Sequence, residues 1–149
     1  MKKYLLFLLL LLPVLLTAQS TADEIENLLN SSVITYAQAA RFTLEAAGVF
    51  ATNDQIEAFN YALQLGWLPR DISPEYPARL NNISLLLMYS FNMKGGIMYS
   101  IFENAHYAYR ELRFLNVIIG RTVPLMTVSG EQLLFYVNRM LVIQEAREN

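Results

Sequence analysis

The stretch Asn104–Leu141, NAHYAYRELRFLNVIIGRTVPLMTVSGEQLLFYVNRML, decides the fold. In its first half Ala108, Leu112, Leu115 and Ile119 stand at i, i+4, i+7 and i+11, which lays one apolar stripe along a helix. Gly120 is the expected stop. Beyond a loop that carries Pro124, Ser129 is placed to accept from the first free amides of a second helix. On that helix Leu133, Val137, Met140 and Leu141 share a face. The unit is therefore helix, loop, helix.

The same punctuation recurs upstream. Asn53 or Asp54 caps a helix on which Ala58, Ala62 and Leu65 repeat the face of Ala108, Leu112 and Leu115 at a constant offset. Trp67 and Leu68 then correspond to Val117 and Ile118, and a loop with Pro69, Pro74 and Pro77 corresponds to the loop with Pro124. Asn81 or Asn82 corresponds to Glu131. Leu85, Leu86, Leu87 and Met88 are expected to open the second helix of this unit, and Lys94, Gly95 and Gly96 to close it; Ile97 to Phe102 is a short helix or an apolar link. Nearer the amino terminus, Thr21 and Glu24 have capping-box spacing before a short helix over 23–30 with Ile25, Leu28 and Leu29 on one stripe. Ser31 and Ser32 break it. Thr35 and Gln38 form a second capping box, opening a helix that runs to about Ala47 and stops at Gly48. There Ala40, Leu44 and Ala47 face one way, and their small side chains let a neighbouring helix approach closely. The reading is an all-α chain of three units, about 22–48, 54–93 and 104–143, in one domain over 23–149.

The third unit carries a His-aromatic-Ala opening (His106, Tyr107, Ala108), a Tyr-Arg-Glu-Leu run (Tyr109 to Leu112), an apolar end and the acidic end of a turn at Val128 to Glu131. In these features it resembles an S-layer-homology repeat. The resemblance implies three divergent copies packed as a small pseudo-threefold helical bundle, with a groove between repeats lined by the family's Thr-Arg-Ala-Glu turn. Carried over by position, that turn is Thr35 to Gln38 in the first unit, Arg79 to Asn82 in the second and Val128 to Glu131 in the third. Thr35, Arg79 and Glu131 keep a family-like residue. The competing architecture is a five- or six-helix bundle without internal symmetry.

Lys2 and Lys3 precede an apolar run from Tyr4 to Leu16, followed by Thr17, Ala18, Gln19, Ser20, Thr21 and Ala22, the pattern of a cleaved secretory signal peptide over 1–22. The run is shorter than the roughly 18 to 20 apolar residues of a membrane span, and Pro13 interrupts it. Cleavage after Ala18, Ser20 or Ala22 would each leave small residues near the cut. The protein is thus expected to be exported, periplasmic or cell-surface associated, without stable membrane insertion after cleavage. The chain has no cysteine, which excludes disulfides and a lipid-modified amino-terminal cysteine. Its formal charge of −2 falls further once Lys2 and Lys3 leave, and no basic tail offsets it, so nucleic acid is not an expected partner. The mean hydropathy of +0.28 is raised by the leader.

Little in the sequence points to catalysis. One histidine and no cysteine make no zinc or haem set, no loop has calcium-site spacing, and no metal or cofactor is expected. His106, on a first helical turn, reads as a packing or capping residue. No serine sits in a Gly-x-Ser-x-Gly elbow, and Gly95–Gly96 reads as a helix stop rather than a phosphate loop. Glu103, Glu111 and Glu131, with Arg110 and Arg113 beside Glu111, read as a solvated face. The aromatics Tyr36, Trp67, Tyr76, Tyr89, Tyr99, Tyr107, Tyr109 and Tyr136 suit both helix packing and stacking on sugars or partner surfaces. Trp67 stands out, because it lies at a helix end beside a long loop. The function expected is a non-enzymatic envelope binding or scaffolding module that contacts a cell-wall glycan through Trp67, Arg79, Glu131 and Thr35. The alternative is a protein-interaction subunit that contacts an envelope protein through an apolar helical surface; an enzyme ranks third.

Overall fold

The computed structural model describes residues 22–148, which contain seven helices and no strand. These are α1 (22–29), α2 (Tyr36–Ala46), α3 (Gln55–Gln64), α4 (Leu80–Ser90), α5 (Ile97–Ile101), α6 (Ala105–Phe114) and α7 (Gly130–Glu148). The leader over 1–21, with Thr21 of the first capping box, lies outside the described residues.

Local chemistry sets most helix ends. The Thr35 hydroxyl accepts the Gln38 amide at 3.2 Å while the Gln38 side chain accepts the Thr35 amide at 2.9 Å, the reciprocal pair of a capping box. Ser129 and Gln132 repeat that pair at α7. Asp54 caps α3 through the amides of Ile56 and Glu57, and Asn104 caps α6 through that of Tyr107. Four helices close on a residue in the left-handed region: Gly48, Gly66, Asn92 and Asn116. In each, the following amide reaches back to the last turn, as Val49 does to Leu44 and Val117 to Leu112, both at about 3 Å.

Three sequence expectations need correction. Helix α6 ends at Phe114 rather than running to Gly120, because Asn116 takes the left-handed conformation (φ 56°) and closes it early; Ile119 is then 53% exposed in the loop. Helix α4 starts at Leu80 rather than near Leu85. Its first amides are taken by another part of the chain, Leu80 by the Met126 carbonyl and Asn81 by that of Pro124, so no local cap announces the start. It closes at Phe91–Asn92, before Lys94–Gly96.

Helix α2 packs on α3, and α4 on α6; α4 and α7 also rest on α2. The closest pairs therefore join the helices on either side of the 49–54 loop and, across α5, α4 and α6. The alanines of α2 permit this approach, Ala39 and Ala40 being fully buried. Leu44, Leu80, Ile83, Leu87, Leu112, Leu133 and Met140 fill the common core. Arg41 is buried beside it. Its guanidinium meets Glu24 at 2.7 Å and Glu45 at 3.6 Å, and donates to the Thr52 carbonyl at 3.0 Å, which ties α1, α2 and the 49–54 loop together.

The segments that lead into α2, α4 and α7 meet at one junction, in a closed ring of backbone hydrogen bonds. Ile34 donates to the Val128 carbonyl (2.9 Å), Val128 to that of Ala78 (3.1 Å), and Ala78 to that of Ile34 (2.8 Å). All three side chains are buried. Isolated antiparallel bridges, Thr35 with Pro77 and Arg79 with Thr127, extend two sides of the ring. Gly130 completes the third by donating to the Ser31 carbonyl at 2.9 Å. A Cβ on Gly130 would lie 1.6 Å from the Leu28 carbonyl oxygen, so the close approach of α1 requires glycine there.

Candidate functional site

Thr35, Arg79 and Ser129 are the residues that immediately precede α2, α4 and α7. Thr35 and Ser129 spend their hydroxyls on capping boxes. Arg79 cannot do so, although its backbone (φ −96°, ψ 140°) has the extended shape of a capping residue, and α4 has no side-chain cap. Helix α2 supplies a partial substitute. The buried Tyr36 hydroxyl accepts the Arg79 amide at 3.2 Å and the Asn82 side-chain amide at 2.7 Å. One phenol thus receives the amide that Gln38 and Gln132 receive in the other two boxes. It also fixes Asn82, the residue in the position of those glutamines.

The Arg79 side chain is left free. It is exposed and makes no hydrogen bond or ion pair among the described residues. It lines a groove of about 520 Å³ together with Tyr36, Asp71, Ile72, Tyr76, Asn82 and Thr127, and with Pro69 and Pro77 in the wall. The Tyr76 ring is 58% exposed. Tyr76 and Pro74 are pinned through their backbone carbonyls, which accept the amides of Tyr36 and Ala37 at 3.1 and 3.0 Å. The proline-containing loop is thereby held against the start of α2. The groove combines a free cation, an exposed aromatic plane, a carboxylate, an amide and a hydroxyl.

Of the four residues expected to contact a glycan, Arg79 lines this groove, and Trp67, Glu131 and Thr35 do not; Tyr36 and Tyr76, from the wider set of aromatics, do. Trp67 is half-buried against the core and stacks on Tyr89 with ring centroids 5.8 Å apart and planes within 11°. Glu131 is exposed in the first turn of α7, where a carboxylate suits the positive end of the helix dipole. His106 is exposed, edge-on to Tyr107. Asp71 and Thr127 were not anticipated as site residues. The constant offset places Thr127 at the position of Pro77, the one signal that pointed to it.

A second hollow, of about 360 Å³, lies beyond Tyr89, with Lys94, Tyr99 and Glu103 in its lining. The Tyr89 hydroxyl donates to Glu103 at 3.2 Å. Burial, and then the Glu103 charge, push the Tyr89 hydroxyl above the ordinary phenol value. Burial, the neighbouring Tyr89 and the charges of Glu103 and Glu111 push Tyr99 up strongly. Both hydroxyls keep their protons at neutral pH.

Among the described residues no cluster of three or more His, Cys, Asp or Glu could hold a metal ion, and no helix is long and apolar enough to cross a membrane. No protein family, curated protein or solved structure matches the chain.

Proposed function

We propose that this chain is a non-enzymatic binding module of the cell envelope, exported by its leader and built from three divergent helix-loop-helix units around a pseudo-threefold junction. Its groove beside Arg79 takes a cell-wall glycan, gripping an acidic substituent. The observation that carries the reading is Arg79 itself. An N-cap position prefers Ser, Thr, Asp or Asn, and the two corresponding positions hold Thr35 and Ser129. Here a long cation stands where a capping side chain would be, gives its helix no side-chain cap, and is unpaired among the described residues in a groove. Local rules broken in this way concentrate at functional sites.

Other features support the parts of this reading. The closed ring through Ile34, Ala78 and Val128, and the recurrence of Gln55–Leu80 as Ala105–Gly130 fifty residues on, favour the repeat arrangement that the S-layer-homology resemblance implies. The exposed Tyr76 plane suits a sugar ring, and Asp71, Asn82 and Thr127 suit its hydroxyls. A guanidinium fits a carboxylate or phosphate in a two-pronged manner. Asp71 is the one carboxylate among the lining residues, an arrangement for holding a ligand rather than for paired acid–base work.

Retention of the purified protein on isolated cell-wall sacculi tests this. Arg79→Ala should lose about 10-fold or more in retention, the scale of one charge-assisted hydrogen bond, with an unchanged melting curve. Retention that is absent in the wild type, or equal in the variant, refutes the reading.

A further inference from the structure

Helix α5 lies on α6 with its outward face bare. Ile97 is 79% exposed, Ile101 63% and Met98 50%, and beside them stand Phe114 at 80% and Phe102 at 49%. These residues are contiguous. Ile97, Met98 and Phe114 line one shallow groove of about 340 Å³ together with Tyr107, the Phe102 ring stacks on Tyr107 at 5.5 Å, and Ile101 lies one helical turn from Ile97. No charged residue occurs from 95 to 102. Single exposed apolar side chains are ordinary, whereas a joined patch of this kind marks a surface that binds something.

We propose that this patch is the interface of a symmetric homodimer. Taking about 200 Å² for a fully exposed large apolar side chain, the five residues present roughly 650 Å², close to the ~800 Å² that each partner contributes to a standard interface. The charges around the patch select a second copy as the occupant. Arg110 and Glu111 are adjacent on α6, both line the groove, and neither side chain has an ion pair or hydrogen bond among the described residues. A twofold axis that passes between these two side chains would set Arg110 of each protomer opposite Glu111 of its partner, so that one adjacent pair of charges satisfies itself twice. An anionic bilayer would instead call for an unopposed cationic rim. Here Lys94 and Arg110 are balanced by Glu103 and Glu111. The dimer face is independent of the Arg79 groove and shares no lining residue with it.

Sedimentation velocity on the purified protein at micromolar concentration tests the proposal, and a dimer is expected. Phe114→Asp and Ile97→Asp, at positions too exposed to affect folding, should each raise the dimer dissociation constant about 30-fold or more, the scale of an interface hot spot, with unchanged circular dichroism. Arg110→Glu should weaken the dimer, and the swap Arg110→Glu with Glu111→Arg should restore it. A monomeric wild type, a dimer indifferent to Phe114→Asp, or a swap that fails to restore association overturns the proposal. So does a monomer that floats with anionic phospholipid vesicles through Phe114.

Discussion

Arg79→Ser separates the two costs that meet at the start of α4. The backbone at 79 (φ −96°, ψ 140°) already resembles that of Thr35 (φ −88°, ψ 163°). A serine hydroxyl there can accept the Asn82 amide as Thr35 accepts that of Gln38 at 3.2 Å, while the Tyr36 hydroxyl continues to hold the residue-79 amide. A cap of this type stabilises by about 1 kcal/mol relative to a residue that cannot cap. For a domain of this size that corresponds to a rise in melting temperature of about 3 to 6 °C. Arg79→Ala, which supplies no cap, should leave the melting temperature close to wild type. Both substitutions should weaken groove binding about 10-fold or more, since both remove the guanidinium. The combination expected for Arg79→Ser is therefore a more stable protein that binds less well. Thermal melting followed by circular dichroism, in parallel with sacculus retention, reads both. If the Arg79→Ser variant melts at or below the wild-type temperature, the reasoning is refuted, because Arg79 would then be holding the fold together instead of standing free.

Three further outcomes are expected. Tyr36→Phe removes the acceptor shared by the Arg79 and Asn82 amides and should cost about 1 to 2 kcal/mol, seen as a lower urea midpoint; no change would mean that water replaces the hydroxyl without loss. Gly130→Ala places a Cβ against the Leu28 carbonyl oxygen and should destabilise by about 3 kcal/mol, with α1 as the first segment to lose amide protection in hydrogen exchange. Tyr89, Tyr99 and Tyr136 all have hydroxyls raised above the ordinary phenol value, chiefly by burial. The unfolded chain ionises first, near pH 10, so stability should be full below that pH and fall as it is exceeded, which urea midpoints measured from pH 8 to about 11 would show.

How much of this was legible depended on where each hydrogen-bond partner sits along the chain. The Thr35–Gln38 box, the Asp54 cap and the Ser129 cap lie within three residues of the amides they serve, and sequence spacing found them. The start of α4 was misplaced because its amides go to Met126 and Pro124, more than forty residues away. The end of α6 was misplaced for a different reason. Gly120 offered a conspicuous stop, but Asn116 tolerates the left-handed region well enough to close the helix first. At the site, the resemblance and the offset pointed to Arg79. Its freedom became visible only with Tyr36, a hydroxyl 43 residues distant in sequence. Trp67 was singled out because it sits at a helix end beside a loop, and in the fold that position turns it onto Tyr89.

The proposed pseudo-threefold frame also accounts for a single groove beside one arginine. The ring positions Ile34, Ala78 and Val128 differ in size but share burial and backbone geometry, so the frame constrains the main chain and leaves the neighbouring side chains free to diverge. Two residues past the ring stand Tyr36, Leu80 and Gly130, a large, a medium and an absent side chain. Gly130 lets the α1 backbone close over the start of α7. Leu80 is fully buried at the start of α4. Tyr36 extends from the start of α2 to the start of α4, holds the Arg79 and Asn82 amides, and lines the open groove. Thr35 and Ser129 cap their helices with their own hydroxyls, whereas at α4 the Tyr36 phenol holds the Arg79 amide and the Arg79 side chain stands in the groove. The proposed binding groove thus lies where the starts of α2, α4 and α7 differ in the side chains beside the ring.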